Sequence, residues 1–147
     1  MSVKFLRLPL AALAVMMLTA TAASADTMKQ IENRQAFFKA VKVHMGALVG
    51  VAKGAPYSGE TKLHAQGMLA LAMQAPRMFP EGSDMGETGA LPGIWEKPED
   101  FKKALAAFLA GAEMAVKADG GSMAAAVGAL GKSCKGCHDT FREKHKH

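Results

Sequence analysis

The sequence predicts an all-α four-helix bundle. Three observations carry that expectation: four stretches whose apolar residues recur at intervals of three and four, Gly- and Pro-rich breaks between them, and no stretch with the alternation of a strand. The first helix opens at Thr27-Met28-Lys29-Gln30, which fits a capping box. Its stripe is Ile31, Phe38, Val41, Met45, Leu48 and Ala52, with Arg34 at the intervening position, and Gly54-Ala55-Pro56 ends it. The second helix starts near Ser58 with Glu60 in its first turn. It carries Leu63, Gly67, Ala70 and Gln74 on one stripe and stops around Pro76. Residues 78–97 form a Gly- and Pro-rich connection, long for a compact domain and of the kind that is usually functional or mobile. The third helix begins at Pro98-Glu99-Asp100, with Pro in the first turn and acids beside it. Its stripe is Phe101, Leu105, Phe108, Ala112 and Ala115, and Asp119-Gly120-Gly121 breaks it. Ser122 is placed to cap the fourth helix, whose stripe is Met123, Val127, Leu130, Cys134, Cys137 and Phe141.

The N-terminus reads as an export signal. Lys4 and Arg7 form a basic region, Leu8 to about Ala20 is apolar, and Ala23-Ser24-Ala25 is an A-x-A cleavage site. The apolar run is short for a transmembrane helix, which needs about 20 residues. Residues 1–25 are therefore expected to be a signal peptide cleaved after Ala25. Residues 26–147 then form a single periplasmic domain with no membrane segment after processing. Cleavage removes Lys4 and Arg7 and lowers the net charge from +5 to +3. That mild excess, with no run of five like charges, gives no reason to expect a nucleic-acid partner. The basic tail Arg142–His147 suits a solvated helix end. His145 and His147 there are capable of adventitious metal binding.

Cys134-Lys135-Gly136-Cys137-His138 spells C-x-x-C-H, the attachment signal for haem c. The two thiols add to two vinyl groups as thioethers, and the neutral imidazole of His138 supplies an axial nitrogen to iron. On a helix the three residues stand at i, i+3 and i+4 and share one face. A structural zinc site needs four ligands, and the chain has only two cysteines. A thioredoxin-like pair opens a helix after a strand, whereas this motif lies late in a helix. A disulfide would not require His138. Export fits, because haem c is attached on the far side of the bacterial membrane. Both cysteines fall on the core seam of the fourth helix, so one haem c per chain, covalent and iron-bearing, sits within the bundle. Aromatic residues are only 6% of the chain, so a core of small side chains either leaves volume for a porphyrin or lets the helices approach closely.

Arg34 interrupts an apolar stripe, and burying an arginine without a partner is costly. A haem propionate is one anion that would pair with it, with Gln35 adding a hydrogen bond. The alternative is that Arg34 snorkels to the rim and meets water.

Together these features resemble the cytochrome c′ family, the class II c-type cytochromes, over essentially the whole of residues 26–147. The matching elements are Arg34-Gln35, Phe79-Pro80, Ile94-Trp95 and Cys134-Lys135-Gly136-Cys137-His138-Asp139-Thr140-Phe141-Arg142. The resemblance implies an up-down-up-down bundle, often a homodimer packed through its first two helices. It implies His138 as proximal ligand, with Arg142 one turn beyond on the same helix face, and Arg34 and Gln35 near the propionates. It also aligns Phe38 with the residue covering the distal side of the iron, where low-spin relatives carry Met. Phenylalanine cannot donate to iron, so the expected protein is a high-spin, five-coordinate binder of nitric oxide and carbon monoxide, in nitric oxide sequestration or protection. The alternative is a soluble low-spin electron carrier with a Met sixth ligand, such as Met45, and a redox protein partner. No distal acid–base group is apparent near Phe38, so no catalytic residue and no enzyme activity are expected.

Overall fold

The computed structural model describes the backbone of residues 11–144 and the side chains of residues 26–144. Lys4 and Arg7 of the expected export signal, and His145 and His147 of the tail, lie outside those residues, as do the side chains of the expected cleavage site. Helix α1 spans Ala11–Ala52, α2 Gly59–Gln74, α3 Gly93–Glu96, α4 Pro98–Lys117 and α5 Met123–Phe141, with a 3-10 turn at Ala75–Met78. The four long helices pack in a ring, α1 on α2, α2 on α4, α4 on α5 and α5 on α1. This is the antiparallel up-down-up-down four-helix bundle. Among the described residues no helix is long and apolar enough to cross a membrane.

The capping box expected at Thr27 does not start a helix. The backbone is already helical from Ala11, because the sequence between offers good helix formers and neither Pro nor Gly. The other end is as expected: Gly54 adopts a φ of 108° and the chain turns. The α1 stripe is also as read, with Ile31, Val41 and Leu48 buried.

Helix α2 buries a different face from the one expected. Thr61, Ala65, Met68 and Ala72 point inward, while Leu63 and Met73 are each 65% exposed. Ser58 and Thr61 form the capping box, Thr61 Oγ1 accepting from the Ser58 N–H at 3.0 Å. Helices α4 and α5 bury the expected residues: Phe101, Phe108, Ala112 and Ala115 on one, Met123, Leu130 and Phe141 on the other. Gly111 lets them approach closely, since a Cβ there would stand 3.2 Å from the Leu130 Cα. Ser122 precedes α5 but does not cap it with its side chain. Its hydroxyl and N–H turn back to the Asp119 carboxylate, which closes the α4–α5 turn and lowers the Asp119 pKa. Tyr57 donates to the Ala118 carbonyl at 2.8 Å and ties this turn to the α1–α2 turn.

Leu48, Met68, Met123 and Leu130 are fully buried where the four helices meet. A smaller apolar cluster of Ile94, Phe101 and Phe141 packs with Phe79 and Trp95 at the end where the 78–97 connection crosses the bundle. That connection is held at many points. Trp95 Nε1 donates to the Phe79 and Pro80 carbonyls at 3.3 and 3.1 Å. Leu91 N–H donates to Phe141 O at 3.0 Å, and Glu143 N–H to Gly89 O at 2.8 Å, an antiparallel bridge joining the connection to the C-terminus.

Candidate functional site

Between α1, α4, α5 and the 78–97 connection lies a cavity of about 820 Å³, within the roughly 300–1,000 Å³ usual for cofactor sites. Cys134, Cys137 and His138 all line it, as one helical face requires. Burial pushes both thiols above the ordinary cysteine range, and a hydrogen bond with Ser133 opposes this only in part at Cys134. These are not the low-pKa thiols of a redox pair. No disulfide joins the two. Partial desolvation, then the charge of Arg142, lowers the pKa of His138 and keeps the imidazole neutral and able to donate a lone pair.

Arg142 lines the cavity together with His138. Helix α5 ends at Phe141, and Arg142 is extended, with φ −123° and ψ 137°, because it belongs to the bridge with Ala90. Its N–H still donates to His138 O at 3.2 Å, so it stands one turn beyond His138 as the C-cap of the helix.

Arg34 is only 4% exposed, so it does not snorkel. Its guanidinium donates to Met78 O at 3.2 Å, Ser83 Oγ at 2.7 Å, Ser83 O at 2.7 Å and Thr88 Oγ1 at 2.8 Å, and stands 5.2 Å from the Phe79 ring centroid. Burial lowers its pKa, opposed by the charge of Asp84. These four bonds, two from each terminal nitrogen, fasten the connection to α1. Gln35 acts beside it, donating from Nε2 to Glu87 O at 3.1 Å. Sequence reasoning missed this clamp. Its signal was the pair Ser83 and Thr88 in the connection, small hydroxyl residues suited to receive a buried cation.

Phe38 lines the same cavity and joins a run of rings. Its centroid is 5.1 Å from that of Phe37 and 5.9 Å from Phe79; Phe79 lies 4.8 Å from Phe101, and Phe101 5.2 Å from Phe141. Val41, Met45, Leu105 and Phe108 extend this apolar wall. The polar lining includes Lys39 and Lys42, which the sequence reading did not single out, and no Asp or Glu. The residues therefore fit a flat, largely apolar group with anionic substituents, held by two thiols and one imidazole.

A helical bundle with a C-x-x-C-H face turned into such a cavity defines a class II c-type cytochrome. The Cytochrome C' family model matches residues 29–142, and the chain belongs to that family. It is 39% identical over 119 residues to the cytochrome c' of Pararhodospirillum photometricum, covering 77% of this chain and 95% of that one. Among solved structures it is similar to a ferrous variant of the cytochrome c prime of Alcaligenes xylosoxidans with bound NO, at 29% identity and a TM-score of 0.74, over 81% of this chain and 97% of that one. A carbon-monoxide-bound variant of the same cytochrome matches at 30% identity and a TM-score of 0.73, over 80% and 97%. The cofactor of the chain is haem c, one per chain and covalently attached.

Proposed function

We propose that this protein is an exported, periplasmic gas-binding cytochrome that takes up nitric oxide and, second, carbon monoxide, and that it acts in nitric oxide sequestration or protection rather than as an enzyme. Cys134 and Cys137 would hold the haem as thioethers, and His138 would be its axial ligand. When bound, haem supplies an iron with one coordination position for a neutral diatomic.

The chain's own residues then set what reaches that position. The observation that carries the reading is the wall around Phe38. Phe38, Val41, Phe79, Phe101, Leu105 and Phe108 line the cavity without a single side-chain hydrogen-bond donor. Such a wall gives no hydrogen bond to a polar ligand and leaves small neutral gases as the suited ones. The NO and CO complexes of the Alcaligenes xylosoxidans variants support the same choice. Arg34, Lys39, Lys42 and Arg142 give the cavity its cationic lining, with Gln35 a neutral donor beside them, suited to the propionates. Val43 on α1 and Leu63 and Met73 on α2, each 65% exposed, support a homodimer through these two helices.

Ferric electron paramagnetic resonance and the resting ferrous spectrum test this reading. A high-spin, five-coordinate iron that binds nitric oxide is expected. Phe38→Ala should raise the carbon monoxide on-rate at least tenfold, because the ring crowds the wall it belongs to. A low-spin, six-coordinate signal in the unaltered protein would overturn the reading and point to Met45, which also lines the cavity.

A further inference from the structure

Away from the cavity, α1 and α2 bring two imidazoles together. His44 Nδ1 and His64 Nδ1 stand 3.0 Å apart, with ring centroids 5.2 Å apart and planes inclined at 67°. Both residues are half-buried. The approach depends on Gly67, whose missing side chain makes room for the His44 ring: a Cβ there would lie 2.4 Å from Cε1. On the far side of the His64 ring, Glu60 Oε1 is 3.9 Å from Nε2. At that distance the carboxylate is within ion-pair reach of the ring but is not hydrogen-bonded to it.

The separation of the two nitrogens matches one metal geometry better than another. Two bonds of about 2.0–2.1 Å meeting at a right angle place their nitrogens about 2.9 Å apart, whereas tetrahedral bonds place them about 3.3 Å apart. Tetragonal coordination by imidazole is the preference of Cu(II), which also heads the affinity order of the divalent first-row ions. Among the described residues no group of three or more His, Cys, Asp or Glu converges, so water would complete the shell. We propose that His44 and His64 form a surface site for divalent copper that clasps α1 to α2, independent of the haem cavity.

The test uses the haem-loaded full chain. His145 and His147 are changed to Asn, so that the tail offers no competing imidazoles. Copper(II) is titrated calorimetrically against a weak chelator, and the bound ion is read by electron paramagnetic resonance. One copper per chain is expected, with hyperfine structure from two equivalent nitrogens. Separate His44→Gln and His64→Gln variants should each weaken binding at least tenfold while leaving the haem absorption spectrum unchanged. Absence of binding in the tail-silenced protein, or Gln variants that bind copper as tightly as the tail-silenced parent, would overturn the proposal and reduce the pair to an N–H···N hydrogen bond.

Discussion

Arg34 illustrates how one residue joins the bundle to its cavity. It is a charged group within a stripe otherwise apolar, and its hydrogen bonds go to Met78, Ser83 and Thr88. Ser83 is fully buried, and its hydroxyl in turn donates to Pro80 O at 2.8 Å. Removing the guanidinium leaves Ser83 O and the hydroxyl acceptors short of a donor in a place water cannot easily reach. Hydrogen bonds to charged groups contribute about 1.5–3 kcal/mol each, but such a cluster is not additive. Arg34→Leu should therefore cost on the order of 3 kcal/mol and lower the melting temperature by about 10 °C. The connection should lose amide protection at residues 83–90 before the helices do. A melting curve and exchange pattern like those of the parent would show that the clamp contributes nothing. The sequence showed that Arg34 needed a partner. It could not show the partner to be backbone and hydroxyl oxygens some fifty positions away, because a loop without periodicity leaves no trace of where it folds back.

At the scale of the element, α2 and α4 explain why some faces were legible and others were not. In α4 the charged residues Glu99, Asp100, Lys102, Lys103, Glu113 and Lys117 leave one continuous apolar side, so the stripe reads directly. In α2 the apolar residues Leu63, Met68, Leu69, Leu71 and Met73 fall all round the helix, and no single stripe is marked. What selects Thr61, Ala65, Met68 and Ala72 is the fit against α1 and α4. The α4–α5 pair makes a second prediction. Gly111→Ala would place a Cβ 3.2 Å from the Leu130 backbone, which cannot yield like a side-chain end. Over-packing of this kind costs about 1–3 kcal/mol. Because α5 also carries Cys134, Cys137 and His138, the same change should perturb the haem spectrum in parallel with thermal stability. A loss of stability with an unchanged spectrum would show the strain being absorbed elsewhere.

The α1–α2 pair adds a pH prediction. Burial, then the neighbouring His64, lowers the His44 pKa below its ordinary value of 6.5. The unfolded chain takes up a proton near that value, while the folded chain resists it. Stability is therefore complete above about pH 6.5 and falls as pH drops through the lowered folded pKa. The groups facing His44 are the His64 imidazole and, beyond it, the Glu60 carboxylate. In chelator-containing buffer, melting temperature should fall from pH 7.5 to pH 5, and His44→Asn should make that slope shallower. An unaltered slope would assign the pH dependence to other groups.

For the whole molecule, the question is where the independent fold begins. Helix α1 runs from Ala11, but the first buried side chain along it is Ile31, at 5% exposure among the described residues. Asp26, Met28, Lys29 and Gln30 are exposed, and Thr27 is half-buried. The bundle core and the cavity lining draw on Arg34 and later residues. Cutting the chain after Ala25 would leave Asp26 just ahead of the new start of α1, where a carboxylate suits the positive end of the helix dipole. Thr27 would then stand where the capping-box pattern expects it. The signal peptide reading thus leads to a physical expectation: residues 26–147 form the complete folding unit, and the α1 segment before Asp26 contributes no stability to it. A haem-loaded chain beginning at Asp26 should melt within about 1 °C of the full-length chain, since surface changes away from packed groups stay within about 0.5 kcal/mol. Mass spectrometry of the exported protein should give the mass of residues 26–147 plus one haem. A mature chain starting elsewhere would reject the cleavage site, and a clearly lower melting temperature for the chain from Asp26 would show that the bundle depends on the residues before it.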